Sequence, residues 1–378
     1  MLLRYHEVAL SNPQARFTDR SCLVPNLDLG DYVCTAVIDW VEVVLWLTRS
    51  TSYQHLRDML DKSTGQRPWV EPVKGDPGDG QVRFAIRFQE PKLRLIDQAL
   101  EAIRIDYGFE MLPIVRRIEI SIDFKTPSSD ARARMVGVLV RHLFPNRDIL
   151  SNHRDRPRYS WGPEADETGF VLAKGVRGLA KNDELLMSDG LDRPAPTDAT
   201  SYFGEDGGPV MWRVMVKERD KQNVGAGTAL ILPWDQKRAR IEVTLSRSEI
   251  AALGVDFLDD LRSFNFVKLQ GHYFRFMLPT FQTTFHNHHP EVSRLFERRR
   301  RRKFMNAGVI GLEASDNALA RARARSRPAM LHVLKSRGIV TKRLARHGTG
   351  TSGTLIAFPE MNKRVETALR HLMEKQNA

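Results

Sequence analysis

The sequence predicts an α+β protein: a mixed or antiparallel sheet with helices, followed by a basic, mostly helical C-terminal region. Three observations predict it. Runs of β-branched and aromatic residues alternate with segments of helical periodicity in a β-α-β-β-α-β-α-like order with antiparallel hairpins. Beyond Pro290 the pattern gives way to basic, helix-forming sequence. The composition, 42% hydrophobic over 378 residues, supplies a packed core for two or three domains.

The elements follow in order. Residues 1–30, with Pro13, Pro25 and Asn26, read as an irregular N-terminal arm. Tyr32 to Trp46 is dense in β-branched and aromatic residues and reads as one strand or a pair. Tyr53, Leu56, Met59 and Leu60 recur at helical spacing, so Ser52 to Asp61 reads as a helix. A turn over Pro72 to Gly80 leads into Gln81 to Phe88, where Val82, Phe84, Ile86 and Phe88 share one face of a half-buried strand. Leu93 to Ile105 reads as a helix, Val115 to Phe124 as a strand and Asp130 to Phe144 as another helix. Residues 150–200 are polar and read as long loops. Val210 to Lys217 and Lys237 to Leu245 read as strands, with Asp220 to Trp234 as the loop between them. Ser246 and Glu249 stand at capping-box positions for a helix over Ser248 to Leu253. Ala329 to His347 reads as a helix, and Gly348 to Phe358 as a small wing-like hairpin. The chain thus divides into an arm (1–30), an α+β domain (31–290) and a basic nucleic-acid-binding region (291–378) with a winged-helix-like end.

Charge narrows the function classes. The chain carries 58 Lys and Arg against 46 Asp and Glu, a formal charge of +12. Residues 291–347 hold 16 basic and 4 acidic side chains, a balance equal to the excess of the whole chain. The run Arg298, Arg299, Arg300, Arg301, Arg302 and Lys303 is followed by Arg321, Arg323, Arg325 and Arg327. Such a cluster repels itself without an anion, and a polyphosphate backbone supplies one. No amphipathic apolar face accompanies the arginines, as a membrane-surface helix needs. No apolar run approaches the roughly 18 residues of a bilayer span. Arg4, His6, Glu7 and Asn12 interrupt any signal-peptide core. Cys22 and Cys34 are the only cysteines and lack CxxC spacing, which argues against a disulfide framework or a cysteine zinc site. The expected setting is a reduced cytoplasm.

In the strand Arg117-Ile118-Glu119-Ile120-Ser121-Ile122-Asp123, alternation puts Glu119, Ser121 and Asp123 on one face and the isoleucines on the other. With the isoleucines in the core, the carboxylates face solvent or a cleft. Glu242 sits similarly in Arg240-Ile241-Glu242-Val243. Converging carboxylates can hold Mg²⁺ or Mn²⁺, the hardware of phosphodiester chemistry; the alternative is a solvated polar face. His286 and His288 would share one face as metal ligands or lie near phosphate. The glycine-rich stretches at Gly225 and Gly348 lack a P-loop lysine, and no GxSxG occurs.

The order Ile38-Asp39-Trp40-Val41-Glu42, Arg117 to Asp123, Ser201-Tyr202-Phe203-Gly204, Trp212 to Lys217 and Arg240-Ile241-Glu242-Val243 resembles the replication initiation factor family. That family includes rolling-circle initiators of plasmids and filamentous phages and relaxases of some conjugative elements. The resemblance covers roughly residues 32–270. It implies a metal-dependent endonuclease that nicks one strand at an origin by tyrosine attack, leaving a 5′-phosphotyrosyl bond. It maps Glu119, Asp123 and Glu242 onto the acidic metal positions, with Mg²⁺ or Mn²⁺ as cofactor, and Lys217 onto a tyrosine-x-lysine motif. The tyrosine of that motif is here Met215, whose thioether cannot attack phosphorus. Tyr202 is the nearest replacement, with Tyr159 and Tyr273 as further candidates. The implied partners are origin DNA, single-stranded or hairpin, a host helicase and a second copy of the chain. Two readings stay open: a nicking enzyme, or a non-enzymatic DNA-binding protein on the same scaffold that has lost its nucleophile.

Overall fold

The computed structural model describes residues 3–10, 17–65, 67–73, 81–145, 147–149, 152, 154–161, 168–170, 199–223, 228–285, 290–337 and 354–377. The fold is α+β, and the strand registers between β1 and β2, β2 and β14, β3 and β6, β6 and β13, and β10 and β13 are antiparallel. The first elements are β1 (Tyr5–Ala9), β2 (Arg20–Pro25), β3 (Val33–Thr51), α1 (Tyr53–Thr64), β4 (Trp69–Pro72) and β5 (Gln81–Gln89). Next come α2 (Leu93–Tyr107), β6 (Phe109–Lys125), α3 (Ser129–His142), β7 (Arg158–Trp161), β8 (Thr168–Phe170), β9 (Ala199–Phe203) and β10 (Val210–Lys217). A hairpin, β11 (Arg219–Asn223) and β12 (Thr228–Ile231), precedes β13 (Arg238–Ser246) and three short helices, α4 (Arg247–Ala252), α5 (Asp260–Ser263) and α6 (Lys268–His272). The chain closes with β14 (Met277–Gln282), α7 (Pro290–Ser336), β15 (Leu355–Ala357) and α8 (Pro359–Asn377). No helix among the described residues is long and apolar enough to cross a membrane.

The chain forms two compact units. The first joins residues 1–29, 129–201 and 274–362. Its four-stranded sheet has the order β1-β2-β14-β15, and Leu23, Met277, Phe281, Phe304, Val309, Leu312 and Leu355 form its core. The expected irregular arm therefore carries two strands. Cys22, Leu23 and Pro25 are buried on β2, and its register with β1 runs from Tyr5 opposite Pro25 to Ala9 opposite Ser21. Pro13, the breaker behind the irregular reading, falls outside the described residues, between the two strands. Leu355 on β15 pairs with Pro279 of β14, so β15 extends this sheet; the glycine-rich part of the expected wing lies outside the described residues.

The second unit joins residues 30–128, 202–273 and 363–378. Six strands of its sheet lie wholly within it, in the order β4-β5-β3-β6-β13-β10. Ser52 caps α1 by accepting from the His55 amide, and Gly65 ends it in the left-handed conformation. Leu56 and Leu60 of α1 and Ile96, Leu100 and Ile103 of α2 are buried with Val41, Val43, Leu45, Phe84 and Ile86. One face of the sheet is thus apolar, continued by Ile118, Ile120, Ile122, Trp212, Val214, Ile241 and Val243. The expected loop between β10 and β13 contains the β11–β12 hairpin, with Arg219 opposite Ile231. Ser246 takes the N-cap position of α4 but makes no side-chain cap; its hydroxyl donates to the Gly208 carbonyl instead.

Candidate functional site

The site lies on the other face of the six-stranded sheet and follows from register. β6 runs between β3 and β13, so Arg117 to Lys125 have neighbours on both sides. Asp123 lies opposite Thr35 and Arg240, Ser121 opposite Val37 and Glu242, and Glu119 opposite Trp40 and Thr244. On β10, Arg213 faces Glu242, Met215 faces Arg240 and Lys217 faces Arg238. A register shift between Ile38 and Trp40 leaves Asp39 as the extra residue of a bulge, so Asp39 and Trp40 both reach this face.

These polar residues are buried, contrary to the expectation of a solvated face or open cleft: Glu119, Ser121, Asp123, Arg240 and Glu242 are each 3% exposed or less. Burial of carboxylates requires partners, and arginines supply them. Arg240 grips Asp123 with two bonds, Nε to Oδ1 at 2.5 Å and Nη2 to Oδ2 at 2.7 Å. Its Nη1 donates to both Asp39 oxygens, at 2.6 and 2.9 Å, and to Glu242 Oε1 at 3.3 Å. Ser121 also donates to Asp39. Glu119 accepts from Trp40 Nε1 at 2.9 Å, Arg213 Nη2 at 3.1 Å and the Thr244 hydroxyl at 2.6 Å. Arg213 Nη2 lies 2.5 Å from Glu242 Oε2 in an ion pair. Arg238 adds a contact to Asp123, and Arg87 and Arg116 hold Glu42 beside the cluster.

Electrostatics follow from this packing. Burial works against the Arg240 charge, but Asp123, Asp39 and Glu242 reverse that and hold the guanidinium protonated. Burial alone would raise the Asp39 pKa; Arg240, Lys217 and Ser121 outweigh it and hold the carboxyl below its usual range. Glu242 goes the other way. Burial, with Glu119 and Asp39 adding to it against Arg213 and Arg240, pushes its pKa up to about 7. The folded protein therefore keeps a proton on Glu242 that the unfolded chain, with an ordinary value of 4.5, has released. Stability from this group is lost as pH rises from about 4.5 to about 7, and is flat above. Glu242→Gln, which mimics the protonated form, is expected to remove that decline in melting temperature relative to wild type. Parallel profiles for the two proteins would contradict the assignment.

Asp39, Glu119 and Glu242 have carboxylate oxygens within 4.8 Å of one another, a spacing that can surround an ion. Of the acids singled out in the sequence, Glu119 and Glu242 thus come together with Asp39, whereas Asp123 is taken by Arg240 and Arg238. A Mg²⁺ or Mn²⁺ ion here would have to compete with cations already bound to the same carboxylate oxygens. Here Arg240 holds both oxygens of Asp39, and Trp40, Arg213 and Thr244 hold those of Glu119. Asp39, Glu42, Glu119, Asp123 and Glu242 face Arg87, Arg116, Arg213, Arg238 and Arg240, with Lys217 near Asp39. The guanidinium groups of Arg213 and Arg240 stand where a divalent ion would sit among these carboxylates, so the residues present do not fit an ion while those pairs hold.

Met215 and Lys217 lie on the acid face, and Lys217 is near enough to depress the Asp39 pKa. Tyr202 is half-buried on β9 and belongs to the same charge system: burial opposes the Arg213 charge, while Glu242, Glu119 and Tyr202 favour it and raise its pKa. Tyr273 is placed otherwise. It is buried, its hydroxyl donates to Glu249 and its carbonyl accepts from Trp212 on the apolar face. The Tyr159 backbone belongs to β7, and its side chain lies outside the described residues, as do His286 and His288.

The arginine run lies on α7 and divides by helix geometry. Arg298, Arg299 and Arg302 are exposed, together with Arg294 one turn earlier. Arg300 and Lys303 are buried. Arg300 pairs with Glu297 at 2.8 Å and with both oxygens of Asp316 at 2.8 and 3.0 Å, and Arg301 pairs with Glu7. Arg325 is exposed; the side chains of Arg321, Arg323 and Arg327 lie outside the description.

Sequence reasoning missed Arg213 and Arg240 as members of the site. The signal was there: in Trp212 to Lys217 and Arg240 to Glu242, alternation places both arginines on the face of the acids.

No family model and no curated protein matches this chain. Among solved structures, the ligand-free regulatory subunit of aspartate kinase from Thermus thermophilus aligns at 17% identity over 29% of this chain and 76% of its own. Its TM-score of 0.17 carries no argument about fold or function.

Proposed function

We propose that this chain is a DNA-binding protein of the replication-initiator type whose acid-bearing sheet serves as a binding scaffold and not as a nicking centre. One observation carries the second half: Arg240, buried between Asp39, Asp123 and Glu242, binds the carboxylates that a divalent ion would need as ligands. Met215, facing Arg240 where the resemblance puts a tyrosine, agrees with it. The DNA-binding half rests on the net charge of +12 and on the exposed arginines of α7. Phosphate contacts from such side chains set affinity and salt dependence.

A second reading, nicking by Tyr202, has one observation in its favour: Tyr202 is on β9, the strand next to β10, which carries Arg213.

The test is anisotropy of a labelled duplex across a salt series. Arg298→Ala with Arg302→Ala is expected to weaken binding and to reduce the log–log salt slope by about 0.9 per lost phosphate contact. Both side chains are exposed, so folding is spared. An unchanged slope would refute the role of α7. Absence of salt-sensitive binding by the wild type would refute the DNA-binding reading.

A further inference from the structure

The same sheet face changes character toward its β4 edge. There, aromatic rings and guanidinium groups alternate. Trp69, Arg87 and Glu42 occupy one cross-strand row, since Trp69 lies opposite Arg87 on β5 and Arg87 opposite Glu42 on β3. Arg83 and Trp46 form a second row four residues along β5, about 13 Å away at roughly 3.3 Å per residue. The Arg87 guanidinium sits 4.4 Å from the Trp40 ring centre and 5.5 Å from that of Trp69. Arg83 lies 5.1 Å from the ring centre of Trp46.

This surface is held in place from beneath. Arg87 Nη2 donates to buried Glu42 at 2.7 Å, and Trp40 is fixed by its bond to Glu119. Helices α1 and α2 are buried with the opposite, apolar side of these strands, and Trp69 remains 48% exposed. Indole is costly to leave in water, and an outward tryptophan beside arginines marks a contact surface. The charge here is positive: Arg83, Arg87, Arg116 and Arg117 accompany Glu42 and Glu71.

We infer that this face binds single-stranded DNA, its bases stacking on Trp69 and on the Trp46–Arg83 pair while phosphates meet the arginines. Unpaired bases offer π-faces that stack on indole and on guanidinium planes, with little dependence on sequence. A duplex hides those faces, so the surface selects single strands. The inference rests on the DNA-binding reading above but uses residues separate from α7.

The test uses the full chain, a labelled oligo(dT) and a duplex of equal length, with EDTA present so that cleavage cannot interfere. Trp69→Ala is expected to weaken oligo(dT) binding by about tenfold, the loss of one stacked base, and to leave duplex binding unchanged. Trp69→Phe, which keeps a ring, should restore most of the affinity. Unaltered oligo(dT) binding by Trp69→Ala overturns the inference, as does equal weakening of duplex binding. A wild type that binds the duplex and not oligo(dT) overturns it while sparing the DNA-binding reading; failure to bind either sinks both.

Discussion

Arg240→Ala is expected to lower the unfolding free energy by about 3–5 kcal/mol, the range for removing one partner from a buried ion cluster. The side chain is 1% exposed and contacts three carboxylates. Its loss leaves Asp123 with Arg238, and Asp39 with Ser121, Glu242 and the nearby Lys217. None of these residual contacts neutralises a buried carboxylate as a bidentate guanidinium does. Part of the loss should be recovered at low pH, where the stranded acids can protonate, because a neutral carboxyl tolerates burial far better than an anion. Urea unfolding at pH 7.5 and pH 5 measures both effects. Divalent ions provide a second readout, since the variant exposes the carboxylates that Arg240 covers. Mn²⁺ should raise the melting temperature of the variant and not that of the wild type. A loss below about 1 kcal/mol would mean that the cluster does not depend on Arg240.

Gly308→Ala should cost about 3 kcal/mol or more for a different reason. Gly308 breaks α7 with φ 65° and ψ −167°, a region essentially reserved for glycine. A Cβ there would lie 2.7 Å from the carbonyl oxygen of Arg141 and 2.8 Å from its Cα. Both atoms are backbone of α3, so no rotamer change relieves the clash. Arg141 also serves the break: its Nε donates to the Met305 carbonyl at 3.0 Å, one of the acceptors that a helix interruption leaves without an internal partner. Strain and overpacking therefore act together. Thermal unfolding of Gly308→Ala beside Gly311→Ala, a helical glycine of α7 with an ordinary φ, separates this effect from general helix propensity.

How far the sequence reveals this molecule depends on which forces act locally. The strands β5, β10 and β13 and the helices α1 and α2 are legible because each carries its own periodicity, an alternating or 3.6-residue apolar pattern. The strand β2 is not legible, because a six-residue strand ending in proline gains its stability from β1 and β14, which are distant or featureless in sequence. In the acid cluster, the shared face of Glu119, Ser121 and Asp123 follows from alternation alone. Its burial does not, since that depends on arginines arriving from β10 and β13 and on Asp39 at a bulge. The arginine run gives the reverse lesson. Six consecutive basic residues look like one patch, yet a helix turns about 100° per residue and must direct some of them inward. Arg300 and Lys303 are those residues, and Glu297 and Asp316 already stand where Arg300 arrives.

The most direct test of the proposed function is a single incubation of the purified protein with Mn²⁺ and labelled single-stranded DNA, divided between a native and a denaturing gel. Salt-sensitive retention on the native gel with no covalent band on the denaturing gel is the predicted result. A protein–DNA adduct that survives denaturation, and disappears in Tyr202→Phe, would contradict it and make the chain a nicking enzyme.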